Sequence, residues 1–417
     1  MPVPALVGYF QNWSSVSTPY VQLNQIDSRY NVIDVAFALP VNGTDYRMDF
    51  VPDQVSPTVF INQMQAHQAA GKKILLSVGG ATAPITLSST MERDSFINSL
   101  TRVLVNYNFD GIDIDLEGSS VALTGGTISN PTDLSLIRMR DAIKTIMANY
   151  YATKGKKLLL TFAPETAFVQ GGQSAFGGIW GAYLPLLDAL RDSTDLIHVQ
   201  LYNSGTMYGI DGNVYTQGTA DFIVAMTEAM IVGFQTQGGF FAGYPAEKVA
   251  VGLPACTQAA GSGYTDTATV SAAMNYLLGK GPKPGNYTLT NGNGYPNLGG
   301  MMTWSINWDA KNSCSGSYTY AANFEDVFTF PVALPAEPVA SLTQPLLFPN
   351  PNKGNFVLRL PSEMVSSAFF RLFDLEGRLV LETHLQGASE YHLNAIGLRS
   401  GTYIWRVDDF SGTMLLD

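Results

Sequence analysis

The sequence predicts an α/β protein built on a (β/α)8 TIM barrel, with a small antiparallel β-sandwich at its C-terminal end. Three observations predict it. Eight short apolar runs recur before Phe330, each followed by a polar or helical stretch. Several runs are rich in Val, Ile and Leu with little alternation, as strands buried on both faces are. Beyond Phe330 the texture changes to alternating strands separated by turn residues.

The eight runs are Ala5–Phe10, Val32–Leu39, Lys73–Val78, Gly111–Leu116, Lys157–Phe162, Leu196–Leu201, Val249–Leu253 and Gly300–Ile306. Segments of helical period lie between them, such as Phe60–Ala70, Ser95–Tyr107, Leu134–Tyr151, Tyr183–Asp192 and Asp221–Val232. Eight β-then-α units in sequence fit a closed barrel better than an open doubly wound sheet. A barrel usually takes ~250 residues, so a chain of 417 residues has room for an appendage. The expected division is a barrel over 1–330, a Pro-, Ala- and Ser-rich linker over 331–345, and a sandwich over 346–417. The sandwich strands are expected at Phe356–Leu360, Ala368–Asp374, Leu379–Thr383 and Thr402–Val407. No internal repeat of solenoid or propeller period is visible.

Composition narrows the partners. Apolar residues make up 46% of the chain, enough for a large core, while charged residues are sparse at 14%. The net charge of −11 and the lack of a basic stripe argue against nucleic acid or an anionic membrane. The apolar runs are too short for membrane insertion. The N-terminus runs directly into a strand, so any export signal is expected to be removed or not included. The two cysteines, Cys256 and Cys314, are either free thiols or one disulfide, and a disulfide fits export. Neither they nor the four scattered histidines form a metal-ligand pattern, so no metal and no cofactor is expected.

The strongest local signal is Asp110-Gly-Ile-Asp113-Ile-Asp115-Leu-Glu117. Side chains alternate faces along a strand. Asp113, Asp115 and Glu117 therefore share one face, and Ile112, Ile114 and Leu116 the other. In a barrel the common face is the interior, and the last residue reaches the C-terminal mouth, where active sites sit. Three acids in a narrow interior cannot all ionise cheaply. A shared proton and a raised Glu117 pKa are expected, which suits a general acid. A calcium loop is the competing reading, but it needs turns and Gly where this run has Ile, Ile and Leu. Asp110 is expected to brace the strand start.

This motif resembles the signature of family 18 glycoside hydrolases, the chitinases. Four further stretches agree with that family in order: Ser77-Val-Gly79-Gly80, Ala163-Pro-Glu165, Gln200-Leu-Tyr202-Asn203, and Met302-Thr-Trp304-Ser-Ile-Asn-Trp308-Asp309. The resemblance covers roughly residues 3–330, and Phe176–Tyr183 with the eighth strand look most like the bacterial chitinase D type. It implies hydrolysis of β-1,4 N-acetylglucosamine links with retention, in chitin or chitooligosaccharides. Glu117 would be the acid and base, Asp115 would orient the substrate acetamide, Asp113 would share a proton with Asp115, and Tyr202 would donate to the acetamido oxygen. Gln200, Asn203, Trp304, Tyr9, Phe37, Ala163, Glu165, Met207 and Trp180 would line the substrate site, with Trp304 as the floor. Trp13 and Trp308 read equally as core or rim, Asp309 as a groove contact, and Gly79 and Gly80 as close-packing positions. Tunnel-forming members carry an extra α+β insertion between strands seven and eight. Little more than one helix separates Pro254 from Gly299, which implies an open groove and endo-acting cleavage. An endo-β-N-acetylglucosaminidase acting on N-glycans would use the same acids. A non-catalytic chitin lectin would lack the acid at position 117.

Phe348–Phe356, Arg371–Arg378 and Leu398–Tyr403 resemble the C-terminal sorting domain of the type IX secretion system. That implies a secreted or cell-surface protein, handled by that machinery and otherwise monomeric. The usual closing basic and apolar run is missing after Leu416-Asp417, which implies a trimmed or altered recognition end. The competing reading is a chitin-binding module, for which Tyr391, Tyr403 and Trp405 are the candidate aromatics.

Overall fold

A computed structural model describes residues 1–41, 43–311, 314, 316–328, 344–361 and 367–417, divided into two compact units, Met1–Thr329 and Phe330–Asp417. Of the expected linker, only Gln344 and Pro345 fall within the described residues. None of the helices among these residues is long and apolar enough to cross a membrane.

The first unit is a closed parallel barrel. Its strands are β1 (Ala5–Gln11), β2 (Val32–Pro40), β3 (Lys73–Gly79), β4 (Gly111–Asp115), β5 (Leu159–Phe162), β6 (Leu196–Gln200), β7 (Val249–Pro254) and β8 (Gly300–Trp304). Each pairs with its sequence neighbour, and β8 pairs with β1 to close the ring. Helices α1 (Pro57–Ala69), α2 (Thr90–Tyr107), α3 (Leu134–Lys154), α4 (Leu184–Ala189), α5 (Ala220–Val232) and α6 (Thr267–Leu277) lie between strands, and α7 (Ile306–Asp309) and α8 (Thr319–Phe328) follow β8. Ser89 and Glu92 form a capping box at the start of α2, and Asp133 caps α3, satisfying amides that the helix itself leaves unpaired.

Strand alternation sorts the side chains into two cores. Leu6, Phe10, Ile33, Val35, Ile112, Ile114, Leu160 and Phe162 face outward into the layer beneath the helices. Ala5, Val7, Tyr9, Val32, Ala36, Leu75, Ala163, Leu196, Ala250 and Met302 form the apolar interior. The polar interior positions sit among these last residues, so strand register decides which groups meet. Asp113 pairs with Ser77 on β3 and Thr161 on β5.

The second unit has two antiparallel sheets. One joins β9 (Leu346–Phe348), β10 (Asn355–Arg359) and β13 (Glu390–Asn394); the other joins β12 (Leu379–Leu385), β11 (Ala368–Phe373), β14 (Gly401–Val407) and β15 (Phe410–Leu416). Phe356, Leu358, Phe370, Leu372, Val407 and Met414 share one core between them. Tyr403 and Trp405 belong to that core and Tyr391 packs against it, so these rings form no exposed row. The sequence reading missed β9, β13 and β15; β9 is only three residues long, and polar residues interrupt the apolar pattern of β13 and β15. Cys256 and Cys314 form a disulfide, with Cα atoms 5.6 Å apart.

The end of β3 shows where backbone closeness replaces a side chain. Gly79 has φ +120°, and a Cβ there would lie 2.0 Å from the Asp115 carbonyl oxygen. Gly80 donates its N–H to that same carbonyl at 2.7 Å. Gly79→Ala should therefore cost about 2 kcal/mol or more, from the left-handed backbone and the clash together. Urea unfolding of the parent and variant measures it, and an unchanged midpoint would contradict the fit.

Candidate active site

The mouth of the barrel holds a cavity of about 700 Å³. One wall is aromatic and built from β1, β2 and β8. Phe37 stacks on Trp304 at 5.9 Å and on Trp13 at 6.2 Å, and Tyr9 packs against Trp304 at 5.5 Å. The facing wall is polar, with Asp115 and Glu117 from the β4 end and Gln200, Tyr202 and Asn203 from the β6 end. Leu39, Ala81, Thr82 and the loop Gln258–Gly261 complete the rim.

The acids are graded by depth along one strand. Asp113 is 0% exposed, Asp115 3%, and Glu117 is half-buried at the rim. Asp113 accepts three hydroxyl hydrogen bonds, from Tyr9 at 2.6 Å, Ser77 at 2.7 Å and Thr161 at 2.7 Å. Asp115 and Glu117 are hydrogen-bonded to each other. Gln200 Nε2 lies within hydrogen-bonding distance of Asp115 at 2.8 Å, Glu117 at 3.1 Å and the Ala163 carbonyl at 3.1 Å.

Burial is the main cause of the shifts. It pushes Asp115 well above the usual carboxyl range, helped by the charges of Glu117 and Asp113 and opposed by the Gln200 hydrogen bond. It also raises Glu117; the Gln200 hydrogen bond offsets part of this, and the neighbouring Glu165 charge adds to it. Burial next to Asp115 and Glu117 keeps the Tyr202 hydroxyl protonated. The cavity therefore offers a protonated carboxyl, hydroxyl and amide donors, and an apolar floor.

Several expected contacts lie elsewhere. Met207 is 4% exposed and belongs to the apolar core, because alternation on the short strand Thr206–Tyr208 turns it inward. Trp180 packs on Gly171, where an added Cβ would fall 2.6 Å from its ring, and it is not on the cavity wall. Ala163 is fully buried and supplies only its carbonyl. Glu165 accepts from the Gly118 N–H at 3.3 Å, behind Glu117. Asp309 is buried and accepts from the Tyr30 hydroxyl at 2.6 Å, and Trp308 lies in a small cluster with Cys256. Asp110 accepts from the Ile74 N–H at 3.1 Å, bracing the strand starts.

Two supports escaped the sequence reading. The Tyr183 hydroxyl accepts from the Leu116 N–H at 2.6 Å and donates to the Ile114 carbonyl at 3.3 Å, fixing the β4 end. Asp34 and His198 lie beneath Asp113. With Asp113 they place polar atoms within 4.8 Å of one another, and both Asp113 oxygens already accept hydroxyl protons.

Residues 5–332 match the family model described as glycosyl hydrolases family 18, and residues 346–415 match the secretion system C-terminal sorting domain. The chain is 42% identical over 310 residues to chitinase Chi52 of Paenibacillus xylanexedens, and 42% identical over 311 residues to chitinase D of Niallia circulans. Each match covers 73% of this chain and 58% of the relative, so the chain spans under two thirds of those relatives' length. A crystal structure of a family 18 chitinase from Chromobacterium violaceum superposes with a TM-score of 0.68 at 36% identity, covering 78% of this chain and 83% of that one. The sorting domain marks a secreted or cell-surface protein.

The raised carboxyls carry a sign for stability. Both carboxyls are raised in the folded chain, so folding holds proton on the pair that the unfolded chain releases near pH ~4. Their stabilising contribution is present below that value and is lost as pH rises through the folded pKa values. Asp115→Asn removes one ionisable member, so it should gain on the parent as pH goes from about 4 to about 8. The difference in urea midpoint across that range is the measurement.

Proposed function

We propose that this chain, which belongs to glycosyl hydrolases family 18, is a chitinase that cleaves β-1,4 N-acetylglucosamine links with retention, using the substrate's own acetamide as nucleophile. The observation that carries this reading is the buried Asp115–Glu117 carboxyl pair, both members raised by burial, facing an aromatic floor across one cavity. The names of the relatives favour chitin over N-glycans. Chitin is uncharged, so the acidic chain meets no repulsion from it.

Glu117 gives its proton to the glycosidic oxygen as the bond to the anomeric carbon breaks. The N-acetyl oxygen of that sugar bonds to the same carbon from the opposite side, forming an oxazolinium ion. The second carboxylate of an ordinary retaining enzyme is thereby replaced. Asp115 turns to the acetamide N–H and offsets the positive charge that develops there. Tyr202 donates to the acetamide oxygen and holds it on line. Gln200, now beside both carboxyls, and Asn203 at the rim hold the sugar's polar groups. Trp304, backed by Phe37 and Tyr9, packs the apolar C–H face of the ring. Water then opens the oxazolinium, with the Glu117 carboxylate taking its proton. No metal or cofactor enters these steps. One barrel supplies acid, orienting group and floor, so a single chain suffices.

Between Pro254 and Gly300 the chain forms one α-helix, α6, with its loops. Nothing built there roofs the cavity, which favours endo-acting cleavage. Glu117→Gln keeps the shape and the Gln200 contact but loses the proton, so activity on a chitooligosaccharide should fall by at least ~10³-fold. A variant as active as the parent would end the reading. Time-resolved products from a soluble chitooligosaccharide should include mid-chain cuts, and strict release of disaccharide from one end would contradict the open groove.

A further inference from the structure

Beneath the carboxyls of the cavity lies a second titratable group that the proposed chemistry does not use. Asp34 from β2 and His198 from β6 meet Asp113 inside the barrel, all three with 0% exposure. His198 Nε2 is 3.4 Å from Asp34 Oδ2 and 3.5 Å from Asp113 Oδ1. Neither His198 nitrogen and neither Asp34 side-chain oxygen has a well-formed hydrogen bond to a described residue. An imidazole and a carboxyl buried this way are costly unless charge holds them together.

The surroundings leave His198 as the counter-charge. On β1, Tyr9 presents its ring at 6.0 Å to His198 and spends its hydroxyl proton on Asp113. On β3 and β5, Ser77 and Thr161 donate to Asp113. On β4, Asp115 sits above Asp113, nearer the cavity. Ala250 on β7 and Met302 on β8 are apolar. Lys73 opens β3 at the N-terminal end of the barrel and is partly exposed. Among the described residues in the layer around Asp113, His198 alone can carry positive charge.

We propose that His198 is an imidazolium held between Asp34 and Asp113, and that its charge keeps the site's mobile proton on Asp115 and Glu117 instead of Asp113. Burial by itself favours the neutral ring, but the two carboxyls outweigh it and raise the ring's pKa. Asp34 is pushed up to about 7, by burial first and then by the Asp113 charge. Asp34 thus passes from neutral neighbour to second counter-ion as pH rises through that value. His198 and Asp34 touch no substrate; both are positioning residues that act through Asp113. The kinetic consequence rests on the glycosidase reading above.

The test has one arm that needs no activity. In the parent protein with isotope-labelled histidine, assigned against His198→Asn, the His198 ring should show imidazolium shifts at neutral pH. A neutral ring there would overturn the proposal. The second arm is the pH profile of kcat/KM on a chitooligosaccharide. His198→Asn removes a cation, so its acid limb should move up by about one pH unit or more, with KM little changed. Asp34→Asn removes an anion, so its limb should not move up. Mere damage to the core would push both variants the same way or leave both limbs in place, and either result would overturn the proposal. An active Glu117→Gln protein would sink the glycosidase reading alone and leave the imidazolium arm standing.

Discussion

Carboxyl groups enclosed by a barrel must be protonated, hydrogen-bonded or paired, because a bare buried anion costs many kcal/mol. This chain encloses three and places a fourth half-buried at the mouth, and most of the site's geometry answers that constraint. Asp113 takes three hydroxyl donors from three strands. Asp115 and Glu117 hydrogen-bond to each other and share Gln200. Asp34 faces the His198 imidazole. Each solution draws partners from different strands, so the charge pattern exists only when the barrel closes in this register. A slip of one residue on β4 would turn Ile112 and Ile114 inward and the acids toward the helices.

The two walls of the cavity divide the work by chemistry. Aromatic rings from β1, β2 and β8 offer a broad apolar surface, suited to the C–H face of a pyranose. The β4 and β6 ends offer donors and a protonated acid. Keeping these walls close requires backbone to approach backbone, and the Gly79–Gly80 turn permits it. The Gly79 position lies against the Asp115 carbonyl and the Gly80 position against the Phe37 ring. One glycine pair therefore sets the depth of the acid wall and the seat of an aromatic one.

Much of this was legible in the sequence, for physical reasons. Parallel strands buried on both faces leave apolar runs, and period-two alternation places Asp113, Asp115 and Glu117 on one side whatever else the chain does. The strand ends of the barrel were accordingly readable to within a residue or two. Spacing along one strand says nothing about partners on another, so the three hydroxyls on Asp113 and the Asp34–His198 contact stayed hidden. Met207 and Trp180 do not line the cavity. Each sits beside a recognisable motif, but a short strand turns one into the core and the other packs on Gly171. In the second unit, β9, β13 and β15 are edge strands, the first too short and the others too broken in pattern to announce themselves.

The gradation along β4 has a further consequence for how a proton can be used. Successive same-side residues on a strand stand ~6.6 Å apart. Asp113, Asp115 and Glu117 therefore form a short ladder from a closed interior to a solvated rim. At the bottom, three hydroxyls donate to Asp113. In the middle, burial favours the acid. At the top, partial exposure lets a proton leave and return. A proton favoured on Asp115 and Glu117 by burial stands next to the mouth, where a leaving oxygen can take it. Orientation of charge along the barrel axis, more than the identity of any single carboxyl, is what allows three acids two residues apart to hold different roles.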